Sequence, residues 1–240
     1  MPGTLAIFGA GPVLGLSLAR RFGREGFRVA LVARTERTLA PLAAALAADG
    51  VEAAGFRADV YDHDATASAV AAVKRAYGRI DVAVFSPGGG DMGEGVAATL
   101  DVDVANVRLL LDRFVVSAVS LVRQVLPDMV ERREGAVLFT GGQSGIHPTP
   151  YLGNVGMAQA ALRNYVHTLH ESLAGTGVYA GVVNIGALIE GSVPHRAVTA
   201  SGQPLAFDPE VIHPDVFADA FWDLYAGRDR AEALVGAFGR

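Results

Sequence analysis

Apolar residues in this chain gather in short unbroken runs, separated by longer amphipathic stretches. The runs are Thr4–Phe8, Arg28–Ala33, Ala53–Ala58, Asp81–Phe85, Ala136–Thr140 and Val178–Ile185. Runs this short, apolar at consecutive positions, suit strands buried on both faces, as in a parallel sheet. Between them, amphipathic spacing predicts helices near Val13–Glu25, Glu36–Asp49, His63–Tyr77, Val102–Arg132 and Gly153–Ala174. Strand alternating with helix predicts an α/β architecture built on a doubly wound parallel sheet.

After Gly186 the alternation stops. Residues Ala187 to Pro214 carry Gly, Pro and Ser without a clear period. A stretch that long inside a domain is usually functional, so a substrate lid is expected over about 187–214, after the sixth strand. A helix near Asp215–Ala226 and a short apolar run, Ala233–Gly236, close the chain. With no repeat and no linker, one domain over residues 1–240 is expected.

Composition narrows the function. Hydrophobic residues make up 51% and charged residues 19%, so a large core is available. The net charge of −5 and the lack of a basic run give nucleic acid no electrostatic footprint. There is no cysteine, which excludes disulfides and thiolate chemistry. No apolar run reaches the length of a membrane span, so no membrane partner is expected. The first residues show no charged leader, and a cytoplasmic location is expected. Lys74 is the single lysine among 20 basic residues. That arginine bias, with much Ala, Gly and Val, suits a GC-rich bacterial genome.

The turn after the first strand reads Gly9-Ala10-Gly11-Pro12-Val13-Leu14-Gly15 and opens a helix. This is the context in which a Gly-rich loop cradles a dinucleotide's pyrophosphate. Gly9 permits the tight turn and Gly15 lets helix and strand pack closely. The helix N-terminus offers free N–H groups and a positive dipole end. Arg34 and Thr35 end the second strand. An arginine there suits the 2′-phosphate of NADP(H), where NAD binders place an acid, though it also reads as a surface arginine. Asp59 and Val60 end the third strand, where an adenine would lie. Asp59 is equally placed to cap the next helix.

These residues resemble the short-chain dehydrogenase/reductase family, over almost the whole chain. The resemblance implies a Rossmann fold. The family's Thr-Gly-x-x-x-Gly-x-Gly turn lays its glycines on Gly9, Val13 and Gly15, so a valine replaces the middle one. Its Asn-Asn-Ala-Gly after the fourth strand becomes Phe85-Ser86-Pro87-Gly88, and its Pro-Gly after the sixth becomes Ile185-Gly186. The family's catalytic serine, tyrosine, lysine and asparagine align with Gly142, Val155, Gln159 and Phe114. All four groups are missing, and with Lys74 as the single lysine no Tyr-x-x-x-Lys exists anywhere. The chain thus resembles an atypical branch of the family.

The polar residues left near that site are Thr140, Gln143, Ser144, His147, Tyr151, Asn154 and Gln159. Gln159 can donate to a ribose hydroxyl but carries no charge to depress a phenol pKa. His147 titrates near neutrality, and also reads as an exposed loop histidine. Tyr151 lies one helical turn before Val155 and reads equally as a packing residue. The leading expectation is an NADP(H)-dependent reductase with a changed proton path. Two alternatives stand beside it: a non-redox enzyme (dehydration, cyclisation or isomerisation) and a non-catalytic NADP-binding protein. Lid residues Val193, Val198, Leu205 and Phe207 point to a hydrophobic small-molecule partner. Apolar excess on the helices near 102–132 and 153–174 points to a homodimer or homotetramer.

Overall fold

Alternate side chains of each strand feed two separate cores. Ala6, Phe8, Ala30 and Val32 face one layer of helices, and Leu5, Ile7, Val29 and Leu31 face the other. This computed structural model describes residues 2–87, 95–201 and 209–237. The strands of the main sheet are β1 (Thr4–Phe8), β2 (Arg28–Ala33), β3 (Ala53–Arg57), β4 (Val82–Phe85), β5 (Gly135–Gly142), β6 (Val178–Ile185) and a C-terminal strand, Glu232–Val235. They form a seven-stranded sheet, parallel throughout, in the order β3-β2-β1-β4-β5-β6 and then the C-terminal strand.

Helices α1 (Leu14–Arg24) and α2 (Glu36–Ala48) bury Leu18, Phe22, Leu39 and Leu46 on one face. Helix α3 (His63–Tyr77) buries Val70 and Val73 on the other. Local chemistry sets their ends. The Thr35 hydroxyl accepts from Thr38 N at the start of α2, and the Asp62 carboxylate accepts from Asp64 N and Ala65 N at the start of α3. Gly78, at φ +84°, ends α3 in the left-handed region that glycine tolerates.

The long helix expected over 102–132 starts at Val104, because Asp103 caps it by accepting from Asn106 N at 2.7 Å. It runs as α4 (Val104–Leu111), a π-helical turn (Asp112–Val116) and α5 (Ser117–Glu131). Helix α6 (Gly153–Ser172) packs between α4 and the β5–β6 end of the sheet. Strand β5 continues two residues beyond Thr140, because Gly141 and Gly142 still pair with Asn184 and Ile185. Glycine is required at 141, where a Cβ would meet Asn184 Oδ1.

The expected lid carries structure of its own. Strand β7 (Leu188–Ile189) pairs with β8 (Val211–Ile212), and α7 (Val193–Ser201) lies between them. Ser192 starts α7 by accepting from His195 N at 3.2 Å, with Pro194 in the first turn. Leu205 and Phe207 lie outside the described residues. Helix α8 (Pro214–Gly227) returns to the α1 face, burying Phe221 and Leu224. The last apolar run becomes β9 (Glu232–Val235), the seventh strand.

Chain order thus goes outward from β1 to β3, then restarts with β4 on the other side of β1. A crevice opens at such a switch point, at the carboxyl ends of the strands, and ligands of open α/β sheets bind there.

Candidate active site

A cleft of about 460 Å³ occupies this switch point. Its floor is the Gly9–Gly15 turn and the ends of β4, β5 and β6, and its roof is β7 and the first turns of α7. The turn is held down by Gly9 N and Ala10 N, which both donate to Val32 O (3.0 and 2.9 Å). Gly9 sits at φ +93°, and a Cβ there would lie 2.4 Å from Ser86 O, so no other residue is accommodated. A Cβ on Gly15 already lies 3.1 Å from Ala10 Cα, which is how closely helix and turn approach. Helix α1 begins without a side-chain cap. Leu16 N donates to Gly11 O and Ser17 N to Val13 O, so the N–H groups of Leu14 and Gly15, with no backbone acceptor among the described residues, are the ones open to an anion.

The structure brings Gly9, Gly11, Val13, Leu14, Gly15, Ser86, Pro87, Ser144, Tyr151 and Gln159 together around this cleft. Gly88 lies outside the described residues. Arg34, Thr35, Asp59 and Val60 lie at the carboxyl ends of β2 and β3 but do not line the enclosed cleft. Arg34 is exposed. Thr35 is spent capping α2, and the Asp59 carboxylate accepts from Tyr61 N at 3.0 Å. Gly186 is a packing residue: a Cβ there would meet Gly236 O and Gln143 Oε1.

Two expected catalytic positions have other surroundings. Asn154 is 1% exposed and its amide is engaged. Its Oδ1 accepts from Ala97 N (2.9 Å), and its Nδ2 donates to Gly95 O (2.6 Å) and Asn106 Oδ1 (3.1 Å). It pins the segment before α4 and does not face the cleft. His147 is exposed and does not line the cleft, because the turn after β5 directs it to solvent.

Gln159 is 6% exposed, and its Oε1 has no hydrogen-bond partner among the described residues. A buried orphan acceptor costs free energy until a donor arrives. Val155, one turn earlier on α6, is 2% exposed and presents only methyl groups. Tyr151, on the turn before α6, is 36% exposed, and burial raises its pKa above the usual phenol value. Thr140 donates to Ser86 Oγ at 2.9 Å across β5 and β4. Phe114 reaches the cleft from the π-helical turn, a helix irregularity common at functional sites.

Two contributors were not singled out by sequence reasoning. The π-turn has no local signature in Asp112–Val116. Arg196, on α7, also lines the cleft. The Ser192-Val193-Pro194 helix start was the signal that would have placed it.

A family model described as short chain dehydrogenase matches residues 4–192. Among curated relatives, a short chain dehydrogenase of Pseudocercospora fijiensis is 29% identical over 210 residues, covering 84% of this chain and 65% of that protein. A ketoacyl reductase of Streptomyces coelicolor is 34% identical over 186 residues, covering 74% of this chain and 67% of that protein. The chain therefore spans about two thirds of the length of these relatives. Among solved structures, an actinorhodin polyketide ketoreductase with NADPH superposes with a TM-score of 0.86 at 25% identity, covering 97% of this chain and 95% of that one.

Proposed function

Because this chain belongs to the short chain dehydrogenase family, we propose that it is an NADP(H)-dependent reductase of a carbonyl or related C=X group in a hydrophobic small molecule. The observation that carries this reading is the cleft itself. It holds a dinucleotide-type turn at one end, an apolar roof at the other, and a buried amide oxygen without a partner between them.

The residues present suit such a cofactor. Gly9 and Gly15 let the turn pack tightly against Ser86 and Ala10, and a Cβ on Gly11 would meet nothing within 4 Å, which leaves room for the pyrophosphate over the N-terminus of α1. Gln159 Oε1 is a free acceptor for a ribose hydroxyl. Arg34, exposed at the end of β2, answers the 2′-phosphate. Bound NADPH would supply a hydride to the substrate's electrophilic carbon. The chain's part is to orient, exclude water and polarise. Leu188, Ile189, Val193 and Val198 cover the cleft with apolar side chains. Tyr151 keeps its proton and donates a neutral hydrogen bond to the substrate oxygen, and Ser144 supplies a further hydroxyl in the same cleft.

In this reading Val155 and Gln159 occupy the positions of the family's tyrosine and lysine, and the proton path is atypical. General acid help is worth roughly 10²–10⁴-fold, and a reactive substrate can do without part of it. The ketoacyl reductase relatives and the NADPH-bound ketoreductase support the redox assignment. Two features favour a non-redox enzyme on the same fold: Val13 puts a β-branched side chain where the family's turn has glycine, and the family's four catalytic groups are missing.

Fluorescence titration with NADPH and NADH decides between them. NADPH is expected to bind more tightly than NADH. Arg34→Ala should weaken NADPH at least tenfold, from losing a contact worth roughly 1.5–3 kcal/mol, and leave NADH nearly unchanged. Equal losses would show that Arg34 does not read the phosphate. No binding of either cofactor would remove the reductase reading.

A further inference from the structure

We propose that Arg196 is an electrostatic latch: it reaches from the lid helix α7 to the diphosphate bridge of the bound dinucleotide and so couples cofactor binding to closure of the roof. The inference rests on the reading of the cleft as a dinucleotide site, and adds to it a residue and a function.

Arg196 is the one formally charged side chain among the described residues that line the cleft. Its Nη1 donates to the carbonyl of Gly191, and a carbon built on Gly191 would lie 3.9 Å from Val13 Cγ2, at the start of α1. The guanidinium is thus tethered to a lid turn that passes near Val13, the residue at the cap position of α1. It has five N–H donors in a planar fork, and this tether uses one. Helix α1 has no side-chain cap, and the N–H groups of Leu14 and Gly15, residues that line the same cleft, have no backbone acceptor among the described residues.

A second observation points independently to a ligand in this space. Gln159 Oε1 is buried without a partner in the same cleft, on α6, away from both α1 and α7. The cleft therefore presents a donor-rich end and a lone acceptor. A diphosphate joined to a ribose fits both: its oxygens take N–H donors from the helix and the guanidinium, and its sugar hydroxyl answers the amide oxygen.

Arg196 also answers the problem set by Val13. A valine in the turn limits how closely a phosphate approaches the backbone from below. A cation supplied from above replaces that attraction, and only when the lid is down. Binding then closes the lid because the closed state alone contains the Arg196 contact.

Arg196→Gln and Arg196→Lys test this in the full-length protein, with NADPH as the probe. The expected results are an NADPH Kd raised at least tenfold by Arg196→Gln and partly restored by Arg196→Lys. Closure is read separately by glutamyl endopeptidase cleavage after Glu190, which is exposed at the edge of the lid. NADPH should slow that cleavage in the wild type and not in saturated Arg196→Gln. If NADPH binds both proteins equally, or slows cleavage equally, the latch is overturned and the reductase reading stands. If NADPH binds and slows cleavage but no carbonyl is ever reduced, the latch stands and the reductase reading falls. No binding to the wild type overturns both.

Discussion

Tyr151 owes its chemistry to what surrounds it. A phenol acts as a base only when a neighbouring cation lowers its pKa, and the single lysine, Lys74, sits on α3, paired with Asp128 at 2.6 Å. Burial works in the opposite direction and raises the Tyr151 pKa. The hydroxyl therefore stays protonated through the neutral range and serves as a donor. The expected pH profile of reduction lacks the basic limb that a depressed tyrosine would give, and alcohol oxidation is poor. Tyr151→Phe should lower kcat by about 10–10³-fold, the scale of losing one transition-state hydrogen bond. A steady-state pH series on both proteins checks this. An unchanged rate in Tyr151→Phe would assign the donor role elsewhere, with Ser144 the next group in the cleft. Residue identity made most of the cleft floor legible in advance, since Gly9, Gly15 and Ser86 follow a strand in fixed order. It could not show that Asn154 is consumed by Ala97, Gly95 and Asn106, because those partners lie about fifty residues away in sequence.

At the scale of elements, strands β1, β2 and β6 and helix α3 were readable to the residue, because apolar runs and caps are local signals. The π-turn in the long helix and the extension of β5 were not. Both depend on what packs alongside: Gly141 and Gly142 are drawn into the sheet by β6. The C-terminal strand is the clearest such case. Four residues, Glu232–Val235, make a strand only because β6 offers an edge and α6 offers a cation. Arg163 donates to Glu232 from Nε (2.6 Å) and Nη2 (2.5 Å), and Asn184 and His167 lie against the same carboxylate (3.1 and 3.2 Å). The Arg163 hydrogen bonds, helped by His167 and opposed by partial burial, hold the Glu232 pKa down at about 2. A depressed carboxylate pKa stabilises the fold above the ordinary value of 4.5, and that stability disappears as pH falls through about 2. Glu232→Gln should cost roughly 1–2 kcal/mol at pH 7, after allowing for solvent screening of a partly exposed pair. Urea unfolding at pH 7 and near pH 2 checks it. The gap between the two proteins should shrink at the acid end, and a constant gap would mean that the ion pair does not anchor the strand.

For the whole molecule, the sheet and its two helical layers account for the buried apolar residues, but not for those left outside. Leu100 is 98% exposed, Val104 66% and Met157 45%. They belong to neighbouring elements: Leu100 to the turn before α4, Val104 to the first turn of α4, and Met157 to α6, which packs on α4. The turn is fastened there, since Gly153 N donates to Ala97 O at 2.9 Å, so these side chains are held out by well-anchored backbone. Side chains of this kind on a rigid surface gain by burial against another chain, about 25 cal/mol for each Å² of apolar area removed from water. We propose that a second copy covers them, in an isologous contact about a two-fold axis, giving a homodimer or a homotetramer. Such a contact repeats each residue, so one substitution acts twice. Val104→Asp and Met157→Asp should each shift the protein toward the monomer mass in sedimentation velocity at micromolar concentration, with the Tm of the monomer little changed because neither residue is in the core. A wild type that already sediments as a monomer would contradict the proposal. An unshifted oligomer in both variants would move the interface to another face of the molecule.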